Sequence, residues 1–328
     1  MENAALIIEY IEETCSHRPN VIAVHDEGTG EQITYQQLAE KYSIISRQII
    51  RRINYDRYKE SSSSPLISII TNKNIASIIG TLSILHAHCV FVPIDPDLPE
   101  LCQIQILQQS RCDLLIVDED NMLKIRTYPL SILPPLIILD RNGNLKDLSP
   151  CETYRFTTFP VKKDPLMYVI YKNEEEGGKP QGVMVTNQGI LNILKYFISY
   201  LRLKDYDRVL SLMPLSCDAS IVEIFTPLLI GSTLYLGSQA TAEDPIRLMN
   251  VLDTLSITFL QGTVRMFEAL LDNDWEGNKN LQLMIAMGGG NGGYSSSSSS
   301  KSHVSVEGSR LLEEMRLPSR LYSLVKMC

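Results

Sequence analysis

Residues 166–193, LMYVIYKNEEEGGKPQGVMVTNQGILNI, decide the predicted fold. The first six are apolar, β-branched or aromatic, which predicts a buried strand. A polar loop with glycines and lysines follows over 172–182, then a short strand over 183–185, and Thr186 or Asn187 can cap a helix. Because glycine lets backbone N–H groups turn toward phosphate oxygens and lysine adds positive charge, this loop suggests a nucleotide site.

Strands and helices alternate on both sides of this stretch. Apolar runs predict strands at 66–70, 89–94, 114–118, 136–140, 208–213, 232–236, 257–260 and 281–287. Amphipathic or apolar segments between them predict helices at 75–85, 101–109, 221–229, 245–255 and 263–271. Such alternation indicates an α/β fold with layered parallel or mixed sheets flanked by helices.

Composition excludes several classes of function. The chain has 328 residues and a net charge of −8 without a basic stripe, so we expect no nucleic-acid partner. Its seven cysteines form no Cys-x-x-Cys pair and its five histidines lack zinc spacing, so we expect no metal site and free thiols in the cytoplasm. The charge-free stretch 75–94 fits a buried helix and strand better than a membrane span.

The composition changes sharply near residue 289. Glycines crowd residues 288–293, and six consecutive serines follow from Ser295 to Ser300. Such a segment has too few apolar side chains to form a core. We therefore expect one incomplete domain over 1–289, followed over 290–328 by a Gly/Ser-rich linker and a disordered tail.

The loop after the first strand resembles a known family motif. The sequence YVIY at 168–171, followed by GKPQGV at 178–183, is similar to the phosphate loop of adenylate-forming enzymes, which include acyl-CoA synthetases, luciferases and nonribosomal peptide synthetase adenylation domains. The family loop is rich in Ser, Thr and Gly and ends Gly-x-Pro-Lys-Gly. Here KNEEEG at 172–177 replaces that run, and Gln181 replaces the second lysine. The resemblance implies four phosphate-binding candidates: Gly177, Gly178, Lys179 and Gly182.

A second segment, LSCDASIVEIF at 215–225, resembles the SFDAS-x-x-EIF motif of amino-acid-activating adenylation domains. The resemblance implies that the Asp218 carboxylate holds the α-amino group of the substrate, since a carboxylate facing an ammonium supplies both charge and direction. It also implies an acid pocket lined by Ala219, Val222 and Gln261. The alternative is that Asp218 only caps the following helix. The segment departs from the family motif at Cys217, which replaces the usual aromatic residue.

The resemblance covers about residues 33–289 and implies the N-terminal part of an adenylate-forming fold. The adenine-contacting YGPTE motif, the ribose-binding TGD motif and the C-terminal lid with its catalytic lysine are absent from this sequence. No catalytic residue is therefore assigned. One hypothesis for the missing motifs is that the natural chain differs after Gly289.

The resemblance implies ATP-dependent activation of an amino acid or other carboxylic acid as its acyl-adenylate, with ATP and Mg²⁺ as cofactors and a carrier-protein domain as a partner. We expect residues 178–182 and Asp218 to open onto one cleft. Glu174, Glu175 and Glu176 oppose binding if they face ATP, because each like-charge contact at roughly 4 Å costs about 4 kcal/mol. We therefore expect weak or no activity, and the alternative function is a non-catalytic relic that serves as a binding or assembly module.

Overall fold

A computed structural model of the chain describes residues 6–53, 56–59, 63–146, 161, 165–172, 179–287 and 322–324. The helices in these residues are α1 Ile7–His17, α2 Tyr35–Arg52, α3 Asp56–Lys59, α4 Ile75–His86, α5 Glu100–Ser110, α6 Met122–Ile125, α7 Asn187–Tyr200, α8 Ser220–Ile230, α9 Gln239–Glu243, α10 Pro245–Thr254 and α11 Val264–Asp272. The strands are β1 Ile22–Asp26, β2 Gln32–Thr34, β3 Leu66–Ile70, β4 Val90–Pro93, β5 Leu114–Asp118, β6 Leu136–Leu139, β7 Leu166–Lys172, β8 Gln181–Thr186, β9 Arg208–Ser211, β10 Thr233–Leu236, β11 Phe259–Thr263, β12 Leu283–Met287 and β13 Tyr322–Leu324.

The strands form two mixed sheets. The first has the order β13-β12-β11-β9-β10-β1-β2, and its neighbours are parallel except for the antiparallel pair β1 and β2. The second has the order β6-β5-β3-β4-β7-β8, and its neighbours are parallel except for the antiparallel pair β7 and β8. The predicted layered α/β fold with parallel or mixed sheets is therefore confirmed.

One hydrophobic core joins the two sheets. Its buried side chains include Val24 and Leu234 from the first sheet and Ile69 and Phe91 from the second. Helices α1, α2, α4 and α8 contribute the apolar side chains that connect them. Helix α4 accounts for most of the charge-free stretch 75–94, for which a buried helix is the preferred prediction. Its residues from Ile75 to Leu85 are buried within the protein, which explains why the helix is apolar all round.

Local signals in the sequence explain where helices begin. The Thr34 hydroxyl accepts from the Gln37 amide across 3.3 Å, and the Thr34 amide donates to the Gln37 side chain across 2.9 Å. This reciprocal pair is the predicted capping box of α2. Thr186 accepts from the Gly189 amide and thereby caps α7, which settles the choice between Thr186 and Asn187.

Several expectations about elements need correction or completion. The strand predicted at 257–260 spans Phe259–Thr263 in the structure, as β11. Gln261 therefore occupies the middle of a strand. Strand β13 lies inside the segment predicted as a tail and pairs in parallel with β12. The division at residue 289 remains a prediction, since residues 288–321 lie outside the described ones. In the described ranges no helix has the length and apolar character needed to cross a membrane, and Cys15, Cys89, Cys102, Cys112 and Cys217 are free.

Candidate functional site

The β7–β8 hairpin carries the loop with the predicted phosphate ligands. Lys172 ends β7 and pairs with Gln181 at the start of β8, so the segment with the predicted phosphate ligands connects two antiparallel strands that pair with each other. Lys179 is exposed there. Gly177, Gly178 and the three glutamates lie outside the described residues, and their role stays a prediction.

Asp218 lies one residue before the cap of α8. The cap is Ala219, and no side chain caps the helix, so the alternative that Asp218 serves as a side-chain cap is wrong. The Asp218 carboxylate instead faces the Lys172 ammonium, with 3.7 Å between Oδ2 and Nζ. Its other oxygen, Oδ1, lies 3.8 Å from the Cys217 thiol. The base of the predicted phosphate loop therefore meets the predicted substrate-binding carboxylate.

A cavity of about 320 Å³ opens beside this ion pair. Its walls combine one carboxylate and one phenol with aliphatic side chains, namely Asp218, Tyr168, Val185, Ile190, Ile193, Leu194, Ile221 and Val222. Burial, helped by the charge of Asp218, raises the pKa of Tyr168 to about 12. The cavity can therefore hold an apolar group next to a carboxylate.

Ala219 and Gln261 meet behind the first turn of α8. The Gln261 amide nitrogen donates to the Ala219 main-chain oxygen across 2.9 Å and to Glu223 Oε1 across 3.3 Å. Both donations fix the orientation of the carboxamide, and its buried oxygen has no hydrogen-bond partner in the described structure. Asp218 and Val222 thus share the cavity, whereas Ala219 and Gln261 form a separate contact next to it.

Glu223 is the buried charge that organises this region. Its Oε2 accepts from the Ser211 hydroxyl at 2.8 Å and from the amides of Leu212 and Met213 at 3.1 Å each. Burial raises its pKa to about 7, although the hydrogen bonds and the nearby Lys73 ammonium favour the charged form. Glu223 therefore holds the end of β9 against α8.

Lys73 links the two sheets beside Glu223. Lys73 lies in the loop between β3, a strand of the second sheet, and helix α4. Its ammonium donates to the main-chain oxygen of Ser211, in β9 of the first sheet, across 3.3 Å. Burial lowers its pKa to about 8, opposed by the charge of Glu223. Sequence reasoning missed both residues as functional candidates. A single glutamate within the apolar helix SIVEIFTPLLI was the available signal for Glu223.

Gly182 departs from the expectation of one shared cleft. It lines a different cavity of about 540 Å³, together with Val169, Tyr171 and Met184. Since side chains alternate across a strand, Tyr168 and Tyr171 of β7 point to opposite faces of the hairpin. The structure therefore brings Lys172, at the end of β7, to Asp218 and places Gly182 at another cavity.

No metal centre is built from protein side chains in the described ranges. Groups of three or more His, Cys, Asp or Glu residues with metal-binding geometry are absent from that part of the chain. A magnesium ion bound to ATP needs few protein ligands, because it commonly keeps several waters and is held by the phosphates.

Two mixed sheets flanked by helices, with the end of β7 beside the start of α8, define the class: the fold of the N-terminal subdomain of nonribosomal peptide synthetase adenylation domains. A sequence model of the AMP-binding enzyme family matches residues 11–295, which is most of the chain. The chain therefore belongs to the AMP-binding enzyme family, and the predicted resemblance is confirmed.

Similar curated proteins are large peptide synthetases. Tyrocidine synthase 3 of Brevibacillus parabrevis is 29% identical over 262 residues, which cover 79% of this chain and 4% of that protein. Gramicidin S synthase 2 of Brevibacillus brevis is 28% identical over 285 residues, which cover 86% of this chain and 6% of that protein. The chain thus spans a small fraction of the length of these relatives.

Solved structures share the fold. A four-domain nonribosomal peptide synthetase bound to AMP and glycine superposes with a TM-score of 0.70 at 20% identity, covering 95% of this chain and 21% of that one. The N-terminal subdomain of Klebsiella oxytoca NpsA, in complex with 3-hydroxybenzoyl-AMSN, gives a TM-score of 0.68 at 20% identity, covering 87% and 67%. At these identities the likeness establishes the fold.

Proposed function

We propose that this polypeptide activates a carboxylic acid, including amino acids as a candidate class, by joining it to AMP at the expense of ATP. An oxygen of the acid's carboxylate forms a bond to the α-phosphorus, the bond from that phosphorus to the bridging oxygen breaks, and pyrophosphate leaves. The products are acyl-adenylate and pyrophosphate. Membership of the AMP-binding family, together with the contact between Lys172 and Asp218, carries this proposal.

The segment between β7 and β8 supplies the candidate contacts for ATP. Lys172 and Lys179 flank this segment, and Gly177 and Gly178 are its candidate backbone donors, whereas Gly182 could donate only from the other cavity. A relative in the same fold is described with AMPPNP bound, which supports ATP as the nucleotide. Magnesium, when bound, neutralises phosphate charge as the carboxylate approaches.

The acid is proposed to lie in the aliphatic cavity beside Asp218. Val222 forms part of its wall, and Ala219 and Gln261 fix the start of α8 from behind. A position in this cavity holds the carboxylate of the acid near the loop that binds the phosphates, and such placement is itself a large part of catalysis. A carrier-protein domain, as in the relatives' synthetases, is the proposed acceptor of the activated acyl group.

Acid-dependent exchange of labelled pyrophosphate into ATP tests the proposal on the 328-residue chain. We expect weak exchange with at least one acid from a panel of amino, hydroxy and aryl acids, and at least a tenfold loss of that exchange in Lys179→Ala. Lys146→Ala is the matched control, because that lysine pairs with Glu119 on the surface at 3.2 Å, in a different part of the fold. Absence of exchange with every acid would remove the catalytic claim.

The alternative function is a non-catalytic binding or assembly module. The observation that favours it is the separation of Gly182 from the Asp218 cavity, which splits the predicted cleft. Calorimetric titration with ATP and AMP discriminates the two proposals. Micromolar nucleotide binding supports the enzyme, whereas absence of binding together with absence of exchange supports the module.

A further inference from the structure

We infer that the candidate site is built for an acid without a charged α-amino group, because Lys172 already supplies the cation that Asp218 faces. This inference rests on the proposed function. It concerns the chemical class of the acid, and it follows from the geometry of one ion pair and the cavity beside it.

The first step is the ion pair itself. Lys172 Nζ and Asp218 Oδ2 lie 3.7 Å apart, and Asp218 also lines the cavity. A substrate ammonium bound to Asp218 has to share one carboxylate with the Lys172 ammonium. Like charges at such distances repel, and partly exposed positions reduce the repulsion without abolishing it.

The second step is the charge of the cavity. Asp218 is the one acidic residue among its described lining side chains, and aliphatic groups form most of the wall. The pair of Lys172 and Asp218 is neutral as a unit. An incoming ammonium makes the site cationic with no second carboxylate to compensate, whereas a hydroxyl or oxo oxygen leaves it neutral.

The third step is hydrogen bonding. An ammonium has three donors and no acceptor, so Lys172 can donate to an oxygen on the α-carbon of an acid while it still faces Asp218. The same lysine can offer nothing to an α-ammonium. The geometry therefore points to apolar acids that carry a hydroxyl, an oxo group or no substituent at the α-carbon.

The side chain at position 172 differs from the one that the family motif carries there. The run KNEEEG at 172–177 stands where the family motif carries Ser, Thr and Gly residues. A short neutral side chain at 172 leaves the carboxylate of Asp218 free for a substrate ammonium. Lys172→Thr restores that neutral side chain and is the decisive variant.

Calorimetry on the full chain tests the inference with non-hydrolysable sulfamoyladenosine conjugates in four matched pairs: alanine and lactate, valine and 2-hydroxyisovalerate, leucine and 2-hydroxyisocaproate, phenylalanine and 3-phenyllactate. We expect the unmodified protein to bind the hydroxy member of its best pair at least tenfold more tightly. Lys172→Thr should lose or reverse this preference. Lys172→Arg, which keeps the charge, should retain it, and Lys146→Thr, a surface-pair control of similar exposure, should match the unmodified protein.

Ionic strength provides a readout that a merely structural role of Lys172 would not change. Because the pair is partly exposed, raising the salt concentration should narrow the preference in the unmodified protein and leave Lys172→Thr unaffected. An amino preference in the unmodified protein, or an equal ratio before and after Lys172→Thr, overturns the inference and leaves the proposed function standing. If none of the eight conjugates binds, the proposed function is overturned, and the inference with it.

Discussion

The carboxamide nitrogen of Gln261 donates to the main-chain oxygen of Ala219 across 2.9 Å, and this bond ties the middle of β11 to the start of α8. Both residues are fully buried. The position of α8 relative to the first sheet therefore depends on a polar contact that has no access to water. The loop that carries Asp218 precedes this contact by one residue.

Gln261→Leu is expected to lower the free energy of unfolding by about 1–2 kcal/mol, because a buried carbonyl loses a donor and Glu223 loses a partner. Urea denaturation measures the change. Gln239→Leu is the control: that side chain is exposed and bonds Glu243 on the surface of α9, so its effect should stay within about 0.5 kcal/mol. Equal midpoints for the two variants would contradict the role of the Gln261–Ala219 bond.

Glu223→Gln should change how stability depends on pH. Burial raises the pKa of Glu223 from 4.5 to about 7, so between these values the folded protein binds more protons than the unfolded chain. The unmodified protein therefore loses stability as pH rises through this window, and the variant lacks that contribution.

The measurement is the difference in unfolding free energy between the two proteins at pH 4.5 to 7.5. The unfolding free energy of the unmodified protein minus that of the variant should fall with increasing pH by on the order of 1 kcal/mol or more, since one pKa unit corresponds to about 1.4 kcal/mol. A difference independent of pH would show that Glu223 does not titrate in this range.

Tyr35→Phe tests a buried hydroxyl at the end of α8. The Tyr35 hydroxyl lies 2.6 Å from the main-chain oxygen of Ser232 and 3.1 Å from that of Pro227. Removing it should cost about 1–2 kcal/mol of unfolding free energy, measured by urea denaturation. Tyr206→Phe is the control, because Tyr206 is exposed, and the prediction fails if both variants unfold at the same denaturant concentration.

Gly231→Ala and Gly30→Ala separate backbone strain from crowding. Both glycines have positive φ, +81° and +74°, so each alanine should cost about 1–2 kcal/mol. Only at Gly231 does an added Cβ meet another atom, Arg18 Cδ at 2.5 Å. Arg18 pairs with Asp205 at 2.7 Å, and displacing it should add up to about 1 kcal/mol.

Thermal or urea unfolding in an Arg18→Ala background checks this account. There the two alanine substitutions should have equal effects, because the crowding atom has been removed. If Gly231→Ala still lowered the free energy of unfolding more than Gly30→Ala in this background, the strain at the end of α8 would have another cause.

Much of the architecture could be read from periodicity. Alternating apolar strands and amphipathic helices predicted the parallel sheets, and the Thr34 and Gln37 signal predicted the start of α2. Local patterns could not reveal that Gln261 lies within a strand, because β11 continues through a glycine and a threonine and is completed by its neighbours. Tertiary pairing decided that boundary, as it often does for strands.

The candidate site was predicted less well than the fold. Motif order proposed Asp218 and the residues around it, and their roles stay predictions, although the structure places Asp218 and Val222 at one cavity. Sequence reasoning could not foresee the Lys172–Asp218 contact, since 46 positions separate the two residues and only the fold brings them together. It also could not foresee that Lys73 approaches Ser211 of the other sheet.

The pairing of β1 with β10 has a consequence for folding during synthesis on the ribosome. Ile22 and Thr233, which bond each other beside this pair, are 211 positions apart in sequence. At a synthesis rate of about 5–20 residues per second, the ribosome needs roughly ten to forty seconds to deliver the partner strand. During that interval one side of β1 lacks its partner strand, so a nascent chain has a prolonged need for protection against mispairing, and the first sheet cannot be completed until β10 has been synthesised.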